Sequence, residues 1–409
     1  MKQRVVEQVK RVAPRPAVQA VRRGYHTART HAASAWYRYP ARLLKVIAVV
    51  GTTGKTTTAL YLDSILTSAG FTTAVLTSEA TTVAGVTRPA ASVMTAQRVQ
   101  RFLRQAKKAD VDYVVVEAPS WALEARLFHT VAFECIVMTN TETPEDTAAI
   151  AQLLAYIPRF SVLNADDAAY QHLVSYEASE HTMSYGTSEA ADSRIRQVKL
   201  YKRGSEARLL IDHHTTLELG TQLPGKHNVY NMTAAAMAAY LMYIKLEAIA
   251  DGIAELAPVA GRFERLELDK PYDVILDRAT TLGSVTSVLE SARGMAKNRL
   301  IVVVPGDTTP EVADVLVKSA DRLFVSGSDD NSPLMVALHS AGGEAKTERI
   351  ADPRDATTKA TSVARTGDVV VRLMGQENNV HDLVMTVVDP DQADKTAPTD
   401  KDQSQDDTL

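Results

Sequence analysis

The residues best suited to chemistry are Gly51-Thr52-Thr53-Gly54-Lys55-Thr56-Thr57, directly after the apolar run Val46–Val50. Glycines let backbone N–H groups close around phosphate oxygens, and a helix starting there adds its positive dipole end. Lys55 would set a point charge on the terminal phosphates, and Thr56 follows where its hydroxyl can reach Mg²⁺. A strict phosphate loop, G-x-x-x-x-G-K-[ST], would need glycine at 49, which is Val49; the first glycine has moved to Gly51. A Gly-Lys-Thr triplet alone is a weak signal. After a five-residue apolar strand it predicts a nucleotide phosphate site.

Positioning such a loop requires alternating strands and helices, and the chain supplies them from Lys45 onward. Val46–Val50, Phe71–Leu76, Tyr113–Val116, Cys135–Met138 and Ser161–Leu163 read as strands, with helices expected over 55–69 and 99–108. This β-α-β rhythm predicts a mostly parallel sheet whose chemistry gathers at the carboxyl ends of its strands. A short antiparallel meander follows over 194–219, then an Ala- and Met-rich helix over 230–243. After Gly261-Arg262-Phe263-Glu264 the rhythm restarts, with strands at Val274–Leu276, Leu300–Val304, Leu323–Val325 and Val369–Leu373. The fold class is therefore α/β: a central phosphate-loop domain over 46–260 and a C-terminal Rossmann-like α/β domain over 261–388.

The ends differ from this core. Overall, 45 Lys and Arg face 49 Asp and Glu, yet residues 1–45 hold eleven basic residues against a single acid, Glu7. Valines at near-helical spacing among them suit one or two basic amphipathic helices. This arm reads either as a solvated segment packed on the first domain or as a contact for an anionic membrane surface or polyanion; an Arg-rich transit peptide is a third reading. Residues 389–409 are acidic and aperiodic, and are expected to be disordered. No apolar run reaches the ~20 residues needed to span a bilayer. The one cysteine, Cys135, excludes a disulfide framework. The default location is the cytoplasm.

Several segments, in order, resemble the Mur ligases, ATP-dependent amide-bond-forming enzymes of peptidoglycan precursor synthesis, and their relative folylpolyglutamate synthetase. Besides the phosphate loop these are Thr87-Arg88-Pro89, Val116-Glu117-Ala118-Pro119-Ser120-Trp121-Ala122-Leu123, Met138-Thr139-Asn140 and Asn164-Ala165-Asp166-Asp167. Leu223-Pro224-Gly225-Lys226-His227-Asn228-Val229-Tyr230-Asn231 and Gly261-Arg262-Phe263-Glu264 complete the series. The chain looks most like the UDP-N-acetylmuramoyl-tripeptide synthetase branch, without that branch's N-terminal UDP-binding domain. The resemblance implies that Lys55 holds the transferring phosphate and that Thr56 and Glu117 bind Mg²⁺. It also implies that Asn228, Asn231 and Arg262 contact ATP and that Asp277 takes the ribose hydroxyls. Structural alternatives stand beside these roles: a helix cap for the asparagines or Asp277, an ion pair for Arg262.

The sequence also departs from the family pattern. The histidine expected after Thr139-Asn140 is missing, and Glu145 or its neighbour Asp146 is the expected replacement as a second metal ligand, unless that site is gone. Between Asn140 and Asn164 there is no lysine, and the family's D-N-P-R reads Asp329-Asp330-Asn331-Ser332-Pro333 without arginine. The expected function is an ATP- and Mg²⁺-dependent ligase that activates a carboxylate as an acyl phosphate for attack by an amino acid amine. Its acceptor would be a small-molecule or lipid-linked peptidoglycan-type substrate, with no nucleic acid partner. Peripheral contact at the inner membrane face, or a protein partner standing in for the UDP-binding domain, would complete its recognition. The alternatives are a degenerate homologue that binds ATP as a regulatory or scaffold protein, and an unrelated phosphate-loop phosphotransferase.

Overall fold

The computed structural model describes residues 15–90, 93–156 and 158–375. The first fourteen residues of the basic arm and the expected acidic tail lie outside them. Two compact units emerge, one ending at Ala257 and one beginning at Pro258.

The first unit opens with helix α1 (Arg15–Trp36), then β1 (Lys45–Val50), α2 (Lys55–Ser68), β2 (Thr73–Leu76), β3 (Ala80–Val83), β4 (Val86–Pro89) and α3 (Ala96–Lys108). There follow β5 (Tyr113–Glu117), α4 (Ser120–Glu124), β6 (Phe133–Met138), α5 (Pro144–Leu154), β7 (Phe160–Asn164), α6 (Tyr170–Val174) and β8 (His181–Gly186). Strands β9 (Ser193–Tyr201), β10 (Gly204–Ile211) and β11 (Thr215–Thr221) lead to α7 (Lys226–Leu241) and α8 (Leu246–Glu255).

All eleven strands join one sheet in the order β11-β10-β9-β8-β7-β6-β1-β5-β2-β3-β4. From β2 across to β9 the pairing is parallel; the two margins are antiparallel. The expected mostly parallel sheet is there, and the meander extends it rather than standing apart. Val46 to Val50 are fully buried on both faces, which is why β1 reads as a continuous apolar run. The chain goes from β1 to β2 and back to β5 on one side, then crosses to β6 on the other. That reversal opens a crevice at the carboxyl end of β1.

The arm is tied to this unit by polar contacts as well as apolar ones. Thr30 Oγ1 donates to Arg126 O at 2.9 Å, and the Ser34 and Thr130 hydroxyls lie 2.5 Å apart. Gln100 Nε2 donates to Thr130 Oγ1 at 3.3 Å, while Ala33 and Ala41 enter the apolar core. The opposite face of α1 leaves Val21, Tyr25 and Trp36 exposed.

The second unit carries β12 (Glu264–Leu266), β13 (Asp273–Asp277), α9 (Leu282–Met295), β14 (Leu300–Pro305), α10 (Ala313–Ser319), β15 (Arg322–Ser326), α11 (Pro333–Ser340), β16 (Thr347–Ile350), α12 (Pro353–Ser362) and β17 (Val369–Leu373). Its sheet runs β12-β13-β17-β14-β15-β16, parallel except at β12.

Helix α8 packs against α2 at Gly252, where an added Cβ would lie 2.4 Å from Ile65 Cα and 2.8 Å from Ser64 O. Backbone on both sides leaves no flexible side chain to yield. Gly252→Ala is expected to destabilise the protein by about 1–3 kcal/mol through overpacking. Thermal unfolding checks this; an unchanged Tm would show that α8 can shift at no cost.

Candidate active site

The phosphate loop is built between β1 and α2 and held from the end of β6. Thr52 N donates to Asn140 O at 3.0 Å and Thr53 N to Asn140 Oδ1 at 2.9 Å, while Asn140 Nδ2 donates to Thr53 Oγ1 at 2.6 Å. Thr139 Oγ1 reaches Thr53 O at 2.6 Å. Gly51 and Gly54 have φ of +133° and +78°. A Cβ on Gly51 would sit 2.2 Å from Thr139 Oγ1, and one on Gly54 2.2 Å from Asn231 Oδ1. Only glycine fits either place. Since the N–H groups of Thr52 and Thr53 are committed to Asn140, phosphate recognition falls to the first turn of α2, at Lys55, Thr56 and Thr57.

The side chains around the loop are predominantly hard oxygen donors. Thr56 Oγ1 donates to Glu117 Oε2 at 3.0 Å, and Ser78 N donates to the same oxygen at 2.9 Å. Glu117 closes β5, next to β1, and is buried. Lys55 Nζ donates to Thr52 O at 2.6 Å. A threonine hydroxyl and a buried carboxylate at a helix start suit Mg²⁺, which takes few protein ligands and completes its shell with phosphates and water. Among the described residues no cluster of three or more His, Cys, Asp or Glu forms a cage for a metal.

Glu145 or Asp146 was expected to replace the missing histidine; Glu145 is exposed and lines a cavity beside α1. Asp146 is the one that lies at the loop: Thr52 Oγ1 donates to its Oδ2 at 2.6 Å, and Ser120 Oγ donates to its Oδ1. The cause is helical phase. Thr143 caps α5 and Pro144 starts it, so successive residues turn ~100° apart and only one of the two acids can face the loop. Burial alone would raise the Asp146 carboxyl; hydrogen bonds from Ser120, Thr52 and Thr143 and the charge of Lys55 outweigh it and hold it below its ordinary value.

The start of α7 completes this side. Asn228 Nδ2 donates to Pro224 O at 2.8 Å, and Asn231 Nδ2 donates to Asn228 Oδ1 at 3.1 Å, which turns Asn231 onto Gly54. Just before Asn228, burial pushes the His227 imidazole down to about 4, so it is neutral at neutral pH. Sequence reasoning gave no role to Ser78, Ser120 or His227; the first two lie just beyond strand ends, a position that could have flagged them.

In the second unit, Arg262 and Asp277 come together. Phe263 N donates to Asp277 Oδ2 at 2.6 Å and Ala279 N to Oδ1 at 2.7 Å. Burial raises the Asp277 carboxyl to about 6, against the opposing charge of Arg262 and those two N–H groups. Asp277 therefore braces the Gly261–Glu264 turn while keeping lone pairs for a ligand hydroxyl. In the Asp329–Pro333 segment, Ser332 caps α11. Arg349 of β16 reaches this segment, its Nε lying 2.6 Å from Asp330 Oδ1.

Residues 49–239 match the Mur ligase middle domain, and residues 261–375 the Mur ligase glutamate ligase domain. A curated relative, the UDP-N-acetylmuramoyl-L-alanyl-D-glutamate–2,6-diaminopimelate ligase of Geobacillus kaustophilus, is 30% identical over 383 residues, covering 86% of this chain and 78% of its own. The enzyme of that name from Bacillus velezensis is 28% identical over 365 residues, covering 82% and 74%. Among solved structures, Mycobacterium tuberculosis folylpolyglutamate synthase complexed with ADP and AMPPCP shares the fold. Its TM-score is 0.71 at 17% identity, over 85% of this chain and 92% of that one. A solved diaminopimelate ligase of the same name as the curated relatives aligns with a TM-score of 0.64 at 21% identity, over 89% and 83%. The chain belongs to the Mur ligase family, ATP-dependent enzymes that form amide bonds in peptidoglycan synthesis.

Proposed function

We propose that this chain joins a carboxylate of a muramoyl-peptide-type acceptor to the amine of an amino acid, using ATP and Mg²⁺. The observation that carries the reading is the arrangement around Gly54. Lys55, the Thr56–Glu117 pair and Asn231 come from three separate segments and meet at one helix start. In the reaction an acceptor carboxylate oxygen attacks the terminal phosphorus, and the bond to the bridging oxygen breaks as ADP leaves. The amine then attacks the acyl carbon, the C–O bond to phosphate breaks, and the amine gives up its proton. Lys55 stabilises charge developing on the transferred group, and Lys55–Thr57, framed by Gly51–Gly54, hold the phosphate chain. Thr56 and Glu117 would hold Mg²⁺, which neutralises phosphate charge when bound; of Glu145 and Asp146, Asp146 is the acid placed to serve as a further ligand. Asn228 and Asn231 contact the nucleotide; in the second unit, Arg262 and Asp277 are the residues suited to a nucleotide's phosphate and ribose hydroxyls. A degenerate scaffold is not favoured, because the relatives that match most of this chain are ligases.

ADP release should require both an acceptor carboxylate and an amino acid. Lys55→Ala is expected to lower it at least ~100-fold, as loss of a group that stabilises transition-state charge does. Activity that survives the substitution, or ADP formation indifferent to the amine, would refute the reading.

We infer that α1 adds peripheral membrane contact. Val21, Tyr25 and Trp36 are 74%, 59% and 83% exposed on its outer side, with the Arg29 guanidinium over the Tyr25 ring. Aromatic rings with a flanking arginine suit the headgroup region of an anionic bilayer. Phosphatidylglycerol vesicles are expected to shift Trp36 fluorescence to the blue at low salt, reversed by 0.5 M salt (roughly a 4 Å screening length). No shift on such vesicles, or an equal one on phosphatidylcholine, would sink it.

Asp277 gives a pH signature. Its folded value of about 6 lies above the usual 3.8, so the folded state binds the extra proton between those values. Stability therefore falls as pH rises through that window. Asp277→Asn should be less stable at pH 4 but lose this slope, as urea unfolding at pH 4, 5 and 6 would show; a parallel slope in both proteins would count against it.

A further inference from the structure

The structure assigns a second ligand site to the first unit: a groove between α1 and α5 that, we propose, receives a phosphorylated amphiphile. Its apolar chain would sit at the far end and its phosphate on the arginines, with the rest of the molecule leading to the phosphate loop. That this ligand is the carboxylate acceptor rests on the ligase reading; the chemistry of the groove does not.

A cavity of about 840 Å³ opens between the two helices. Arg22, Arg23 and His26 of α1 line it together with Arg126 from the loop after α4. Arg22 and Arg23 make no ion pair among the described residues, and Arg126 Nη1 is bonded to a hydroxyl, Thr27 Oγ1, at 3.3 Å. Two acids also line the cavity, Glu124 at the end of α4 and Glu145 at the start of α5, and neither pairs with these arginines. Guanidiniums on a cavity wall without carboxylate partners suit a bidentate oxyanion such as phosphate. Burial, then the charges of Arg22 and Arg29, pull the His26 imidazole below its ordinary value.

A second cavity of about 350 Å³ continues the first, sharing Arg126, Ala149 and Gln152 with it. Its side chains are mostly apolar, Leu123, Phe128, Val131, Phe133 and Leu153 with the exposed ring of Tyr156 at its edge, and His129 and Thr130 are polar residues among them. With arginines at one end and mostly apolar side chains at the other, the pair suits an amphiphile better than a bare phosphate or a nucleotide. Arg126, at the junction, is a non-glycine residue with φ of +54°, its carbonyl held by Thr30; strained backbone of this kind persists where surrounding contacts fix it.

The groove also points at the reaction. Glu145 lines the cavity and its neighbour Asp146 touches the phosphate loop, so the first turn of α5 separates the two. From there α5 runs 11 residues, about 16 Å, to the apolar pocket at Tyr156. A ligand lying along α5 spans both ends.

The test is titration calorimetry of the full chain, without ATP, against farnesyl diphosphate below its micelle concentration, inorganic diphosphate and UDP. Farnesyl diphosphate is expected to bind at least ~10-fold more tightly than the other two. Arg22→Ala/Arg23→Ala, both exposed, should weaken it at least ~10-fold, and so should Gln152→Trp, which narrows the junction. Lys55→Ala should bind it like the wild type. Equal affinity for all three probes, no binding of any, or both groove variants binding like wild type would overturn the site. Binding confined to a bilayer, absent with the monomeric probe, would overturn it in favour of surface contact alone. Tight binding with no ADP formation from any acceptor would sink the ligase reading and leave the site standing. Ligase turnover that farnesyl diphosphate does not inhibit would overturn the acceptor's placement.

Discussion

The chemistry of the first unit depends on the grip of β6 on the phosphate loop. A loop with two glycines is costly to order, and here the order comes from Thr139 and Asn140, whose backbone and side chains bond Val50, Thr52 and Thr53. Those two residues are held in turn. Asn164 Nδ2 donates to Thr139 O at 2.7 Å, and the buried Tyr185 hydroxyl lies within 3.3 Å of the same oxygen. The support thus runs from β8 through β7 and β6 to the loop, across four adjacent strands. Donors fixed before a ligand arrives need no reorganisation during the reaction.

Thr52 is the hinge of the charge arrangement. Its carbonyl accepts from Lys55 and its hydroxyl donates to Asp146, so one residue holds a cation and an anion in place. Neither charge is left bare, and Lys55 must leave Thr52 O to meet a phosphate. Glu117 is likewise engaged, its Oε2 accepting from both Thr56 and Ser78. Buried charge that is already hydrogen-bonded is tolerable in the absence of ligand.

Much of this was legible in the sequence, and what was not has definite causes. The strands of the parallel sheet read clearly because both their faces are buried, so β1, β5 and β6 are nearly pure apolar runs. The β3–β4 hairpin, which carries Thr87-Arg88-Pro89, did not read because its residues are partly exposed and polar. Helix α8 was missed since its closeness to α2 turns on Gly252, a residue that ordinarily argues against a helix interior. Glu145 and Asp146 could not be told apart by spacing alone; the Thr143 cap decides the phase. Arg349 was invisible for a different reason. It sits some twenty residues from the segment it serves, and only the parallel pairing of β15 and β16 brings it to Asp330.

The basic segment shows how composition and structure constrain each other. Eleven cations in 45 residues could describe a solvated tail, yet the inner face of α1 is bonded through Thr30 and Ser34 to residues 126–130. Once that face is fixed, helical periodicity decides where the remaining side chains go. Val21, Tyr25 and Trp36 are driven outward, while Arg22, Arg23 and His26 line the wall facing α5. A free arm would present its charges in every direction and select for nothing beyond an anion. Docked on Arg126 and Thr130, the same residues separate an aromatic outer face from a cationic inner one.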